Sequence, residues 1–210
     1  MKKLVFYSDQ MIDANQKVDR QLLRLIGKER PKLGYIPSGP DPTRQYFLSK
    51  VAYYQKLGIH DLLYFDFNAE YDATRIDQLL ACDAIHLSGG NTFAFLAWLQ
   101  QRNLIPLLQE FVSQGKVLIG VSAGSILMSK TINIAGFADQ NVIGLTDFRA
   151  LGLVDWEFMP HWLDDAPYLE GLLNYAKTSG TVIYGCRDGD GIIVENDQIT
   201  CLGEIKEMIR

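Results

Sequence analysis

A chain of 210 residues, 48% apolar and 21% charged, is long enough to bury a sizeable core and has ordinary globular composition. A net charge of −5 excludes the electrostatic footprint of a nucleic-acid binder, and no basic run suits an anionic membrane surface. No uncharged apolar run approaches the ~18 residues of a membrane span, and the apolar run in MKKLVFYSD stops at Ser8-Asp9, too short for a secretory signal. Cys82, Cys186 and Cys201 are far apart and in no metal-ligand spacing, which reads as reduced thiols in a cytoplasmic protein.

Short β-rich runs alternate with helical stretches along the chain. A strand over 2–8 precedes a helix over 18–28, where Val18, Leu22, Leu25 and Ile26 fall at helical spacing. The run 32–38 is a strand, and 44–58 is a helix that stops at a glycine. Strand 61–67 then precedes helix 74–83, and strand 84–90 precedes helix 93–100. The apolar stretch 104–113 leads into strand 117–122. This alternation predicts a single α/β domain over 1–210, three-layered, with a mostly parallel sheet covered by helices on both faces. Residues 131–154 read as short strands and turns, 167–178 as a late helix, and 181–203 as three short strands in an edge meander. The tyrosines Tyr7, Tyr46, Tyr53 and Tyr54 read as core cover.

The stretch GKVLIGVSAGSILMSK places a serine on the hinge between a buried strand and a helix. Gly120-Val121-Ser122-Ala123-Gly124 fits the G-x-S-x-G nucleophile elbow. Its small flanking residues allow a turn tight enough to push the Ser122 hydroxyl out of the sheet edge, beside free backbone N–H groups. HLSGGNTFAFL is a second strand ending in a glycine pair before a helix. If the two strands are neighbours, the amides of Gly90 and Ala123 form an oxyanion hole.

A serine of this kind needs a base. His60 lies at a surface turn and His86 inside a core strand, which leaves His161, beyond the end of a short strand in EFMPHWLDD, as the candidate. The orienting acid stays open at this point among Asp139, Asp147, Asp155, Glu157, Asp164, Asp165, Glu170, Asp188, Asp190 and Glu195.

The GVSAGS elbow, the SGGNTFAFL turn, the LGLV…MPHW stretch and the late YGCRDGDGIIVE segment together resemble the peptidase E, or alpha-aspartyl dipeptidase, family of serine peptidases, to which cyanophycinase is related. The resemblance implies a fold like class I glutamine amidotransferases (flavodoxin-like), with serine in place of cysteine at the elbow. It implies hydrolysis of a small peptide without metal or cofactor, by a monomer or homodimer. By motif, Ser122 is the nucleophile, His161 the base and Asp139 the acid, with Asp188 the alternative acid. One departure stands out: relatives use an arginine downstream of the histidine for an acidic substrate side chain. Here that stretch carries Asp164, Asp165 and Glu170 and only Lys177, with Arg187 beyond it. The alternatives in function are a hydrolase for β-aspartyl or ester bonds and a non-catalytic ligand-binding domain on the same fold.

Overall fold

The computed structural model describes residues 1–68 and 70–208. Strand β1 (Lys3–Tyr7) is followed by α1 (Gln16–Ile26), β2 (Lys32–Ile36), α2 (Gln45–Lys56), β3 (Asp61–Tyr64) and α3 (Ile76–Leu80). Next come β4 (Ala84–Leu87), α4 (Thr92–Gln101), α5 (Leu104–Ser113), β5 (Val117–Val121) and the one-turn α6 (Ala123–Ile126). The last third holds β6 (Glu157–Met159), α7 (Ala166–Ser179), β7 (Ile183–Gly185), β8 (Gly191–Glu195), β9 (Gln198–Leu202) and β10 (Lys206–Met208). Local chemistry sets the boundaries. Helix α1 stops where Gly27 turns left-handed at φ +61 and returns its N–H to Leu23. Helix α4 starts at Asn91, whose side chain accepts the Ala94 N–H at 3.0 Å.

The main sheet has the order β3-β2-β4-β5-β1-β8-β9. Its first five strands are parallel, and the hairpin β8–β9 joins antiparallel at β1. The chain steps outward from β1 to β2 to β3, then returns through β4 to β5. Right-handed crossovers send the helices of the outward and return legs to opposite faces. The core follows that rule. Val5, Tyr7, Leu33, Tyr35, Ile119 and Val121 pack with Val18 and Leu22 of α1 and Tyr54 of α2. The alternate residues Leu4, Phe6, Ile36, Ile85, Leu87 and Leu118 face Leu79, Phe95, Leu99, Leu108 and Phe111 of α3 to α5. The period-2 alternation of the strands thus produces the three layers.

The region after β5 differs from expectation. Residues 131–154 hold a 3₁₀ segment, Asn133–Phe137, and isolated bridges at Ser129–Val154 and Thr131–Arg149 in place of short strands. The run 181–203 is not one meander. Strands β8 and β9 extend the main sheet, whereas β7 pairs in parallel with β6 and antiparallel with β10 in a second, three-stranded sheet. Strand β7 is three residues long, and its partners lie outside the run, so local pattern could not assign it. Tyr7 and Tyr54 are core residues, Tyr53 is half-buried, and Tyr46 is exposed. Among the described residues no helix is long and apolar enough to cross a membrane.

Leu118 sits fully buried on β5, the strand that leads to Ser122. Leu118→Ala is expected to cost about 2–5 kcal/mol of unfolding free energy in urea titrations. A loss below about 1 kcal/mol would contradict its place in the core.

Candidate active site

The loops after β2 and β4 leave the sheet toward opposite faces, as do those after β1 and β5. Such divergence opens a crevice at the carboxyl edge of a parallel sheet. A cavity of about 660 Å³ lies there, bounded by Asp9–Met11, Pro37–Asp41, Ser88–Gly90, Val121 and Ser122, with His161 and one side of α2 completing the wall.

Ser122 takes φ +51 and ψ −110, outside the regions open to an L-residue. Its N–H donates to Tyr7 O at 3.0 Å, and its carbonyl accepts from Ser125 and Ile126 at 2.9 and 3.1 Å. The bend brings backbone against backbone. A Cβ on Gly120 would lie 2.5 Å from the Ser125 nitrogen, and one on Gly124 would lie 2.2 Å from Leu87 O. These two glycines are therefore required by packing, as the motif implied.

The Ser122 Oγ lies 2.9 Å from His161 Nε2, and His161 Nδ1 lies 2.7 Å from Asp188 Oδ1. An ionised carboxylate only accepts, so the imidazole carries its proton on Nδ1 and leaves Nε2 free to accept from the serine. His161 follows β6 and Asp188 follows β7. Parallel pairing of those short strands, continued by Cys186 N–H to Met159 O and Trp162 N–H to Cys186 O, both 2.9 Å, brings base and acid side by side. The same aspartate-rich turn is anchored separately, by Asp190 to Lys17 at 2.6 Å.

The expectation for Asp139 is corrected by this geometry. Its Oδ2 accepts the Thr92 N–H at 2.8 Å and the Thr92 hydroxyl at 2.6 Å, at the start of α4, so it caps a helix. Asp188, the alternative, occupies the position against His161. His86 is a core residue, its Nδ1 2.7 Å from the Tyr54 hydroxyl; burial holds its pKa well below the usual imidazole value. His60 is exposed.

Strands β4 and β5 are neighbours, which places the SGGN turn beside the elbow. Gly90 has φ +140, and a Cβ there would collide with the Ser38 hydroxyl. The Gly89 carbonyl accepts from Ser38 Oγ at 2.6 Å and Ser88 Oγ at 3.2 Å. A trans peptide points its N–H opposite to its carbonyl, so these two hydroxyls fix the direction of the Gly90 N–H. Among the described residues neither the Gly90 nor the Ala123 N–H has a protein acceptor.

Two contributors escaped the sequence reading. Ser8, buried at the end of β1, accepts the His161 N–H at 2.7 Å and reaches Cys186 O at 3.0 Å and Asp188 Oδ1 at 3.1 Å. Only its place at a central strand's carboxyl end signalled it. Lys50 of α2 supplies a cation to the cleft wall. Arg187, raised as a partner for an acidic substrate, is instead ion-paired with Asp164, and Lys177 is exposed away from the cleft.

The model of peptidase family S51 matches residues 4–202. The chain belongs to this family. An uncharacterised peptidase of Pasteurella multocida is 30% identical over 145 residues, which are 68% of this chain and 66% of that one. A peptidase E of Shewanella amazonensis is 32% identical over 130 residues, 58% of this chain and 54% of the relative. A Drosophila melanogaster protein named "Probable alpha-aspartyl dipeptidase" is 30% identical over 150 residues, 66% of this chain and 62% of the relative. These matches span less than two thirds of the relatives' lengths. The crystal structure of a Listeria monocytogenes protein named for peptidase E superposes with a TM-score of 0.76 at 24% identity, covering 96% of this chain and 98% of the other. The family S51 chain thus shares a mixed α/β fold with that structure, built on the same large and mostly parallel sheet.

Gly124→Ala tests the elbow. Backbone cannot give way as a flexible side chain can, so the variant is expected to lose more than about 2 kcal/mol of stability in chemical denaturation. A variant as stable as the parent would show that the bend tolerates a side chain.

Proposed function

We propose that this family S51 chain is a serine-type peptidase that hydrolyses an amide bond of a small peptide, with aspartyl-dipeptidase-like chemistry. One observation carries the reading: Ser122, His161 and Asp188 stand in hydrogen-bonded series at 2.9 and 2.7 Å, with Ser122 and His161 on the wall of a cavity sized for a small ligand. The names of the relatives supply the substrate class.

In this mechanism His161 Nε2 takes the Ser122 proton as Oγ attacks the scissile carbonyl carbon. Asp188 accepts from Nδ1–H and stabilises the imidazolium. The N–H groups of Gly90 and Ala123 receive the oxyanion. The intermediate collapses by breaking the C–N bond, and His161 passes its proton to the departing amine. Water, deprotonated by the same imidazole, then releases the acyl group and restores the serine. Strain at Ser122 holds the hydroxyl in place before substrate arrives.

Ser122→Ala is expected to lower kcat on Asp-X dipeptides by several powers of ten with an unchanged melting curve, and to abolish covalent labelling by a fluorophosphonate. Labelling elsewhere, or full turnover by the variant, refutes the assignment. The two acids separate in a parallel assay. Asp188→Asn should cost on the order of 10³–10⁴ in kcat by favouring the wrong imidazole tautomer. Asp139→Asn, altered only at a helix cap, should stay within about tenfold of the parent. The reverse order would return Asp139 to the catalytic role.

A further inference from the structure

The cleft wall holds a cation whose role the proposed chemistry leaves open. Lys50 lies on α2 across the cavity from the elbow, half-buried, and its ammonium donates to Gln10 Oε1 at 2.9 Å. Gln10 cannot turn its amide around without loss. Its Nε2 donates to the Tyr54 hydroxyl at 3.2 Å, and that hydroxyl lies 2.7 Å from Nδ1 of the buried His86. Because an ammonium only donates, the Gln10 amide turns its carbonyl oxygen to Lys50 and its N–H to Tyr54, which ties Lys50 to the cleft wall.

That ammonium is under-partnered. It has three donors, and among the described residues one hydrogen-bond acceptor meets it, the Tyr53 ring lies 6.0 Å away, and no carboxylate lies within ion-pair distance. Asp19 and Asp9 favour its charge from farther away. Asp19 Oδ1 is held by the hydroxyls of Tyr7 at 2.8 Å and Tyr53 at 2.5 Å, and Asp9 Oδ1 accepts the Gln10 N–H at 2.7 Å. The other acid of the wall, Asp41, is buried and accepts the Phe47 N–H at 3.1 Å in the first turn of α2. Burial pushes the Lys50 amine down to about 8, as expected of a cation short of counter-charge.

We propose that Lys50, set by Gln10, is the specificity-determining residue that binds a carboxylate of the substrate in the cleft. An acidic peptide accepts from the ammonium N–H that Gln10 does not use and brings a carboxylate closer than Asp9 or Asp19. The proposal rests on the peptidase reading and deepens it by naming the residue that selects for an anionic substrate. The carboxylate has two possible sources in a dipeptide, the N-terminal side chain and the C-terminus, which share one chemistry.

Calorimetric titration of the Ser122→Ala protein at pH 7 separates these sources without requiring turnover. The ligands are Asp-Leu, Asn-Leu and Asp-Leu amide. Removing the carboxylate that meets Lys50 should weaken binding about tenfold or more, as for a lost charged hydrogen bond. Loss with Asn-Leu identifies the side chain; loss with the amide identifies the C-terminus. Adding Lys50→Met, or Lys50→Gln if the first variant melts early, should erase that difference, and Lys50→Arg should keep most of it. The proposal is overturned if all three ligands bind within about twofold of one another, if none binds below about 10 mM, or if the discrimination survives both substitutions. Failure of the catalytic reading looks different: the parent protein leaves every peptide intact and Ser122 unlabelled, while binding still depends on Lys50.

Discussion

The hydroxyl of Ser8 joins the two sheets at the end where the candidate chemistry lies. It accepts the backbone N–H of His161 and shares its proton between the Cys186 carbonyl and the Asp188 carboxylate, at 2.7, 3.0 and 3.1 Å. Ser8 is the residue after β1, next to the strand that carries Ser122, whereas the other three belong to the ends of β6 and β7. Buried hydrogen bonds of this sort contribute little net energy when made, but leaving one partner unpaired is costly. Their effect here is registry. This contact adds a direct polar tie, beside the packing of Phe6 against Trp156 and Phe158, between the sheet that leads to Ser122 and the one that leads to His161.

The elbow meets that registry from the opposite side. Ser122 occupies a disallowed backbone region, and a conformation of that kind costs on the order of 1–3 kcal/mol. It persists because the surroundings over-determine it. Ser122 N–H and Ser125 Oγ both donate to Tyr7 O, and Gly124 N–H donates to Ser88 O, so β1 and β4 grip the turn from either flank. The same β4 end carries Gly90, whose amide direction is fixed by Ser38 and Ser88. The candidate nucleophile, oxyanion donors and base are thus set by three neighbouring strands of one sheet and one edge of another.

Across the cavity the electrostatics have the opposite sense to those of the downstream acidic stretch. Near His161, Arg187 is ion-paired with Asp164. On the far wall, a polar chain from His86 through Tyr54 and Gln10 ends at the Lys50 ammonium, which supplies the positive charge there. A half-buried cation is screened less by water than the exposed carboxylates on the rim, so its field reaches farther into the cleft.

The α/β alternation, the two-faced strands and the glycine-flanked serine were legible in the residues themselves, because each depends on local sterics or on a periodicity of two or 3.6. His161 was legible as the candidate base too, by position and by the scarcity of rivals. The orienting acid was not. Choosing Asp188 over Asp139 required knowing that β6 and β7 pair in parallel, and a three-residue strand leaves no pattern that specifies its partner. Ser8 and Lys50 stayed hidden for a related reason: a serine ending a strand and a lysine on a helix are ordinary in sequence. Local chemistry therefore determined which elements form and where the chain bends sharply. Long-range strand pairing alone decided which acid meets the histidine, which hydroxyl locks the sheets and which cation faces the cleft, since contacts between residues far apart in the chain exist only after the sheets have closed.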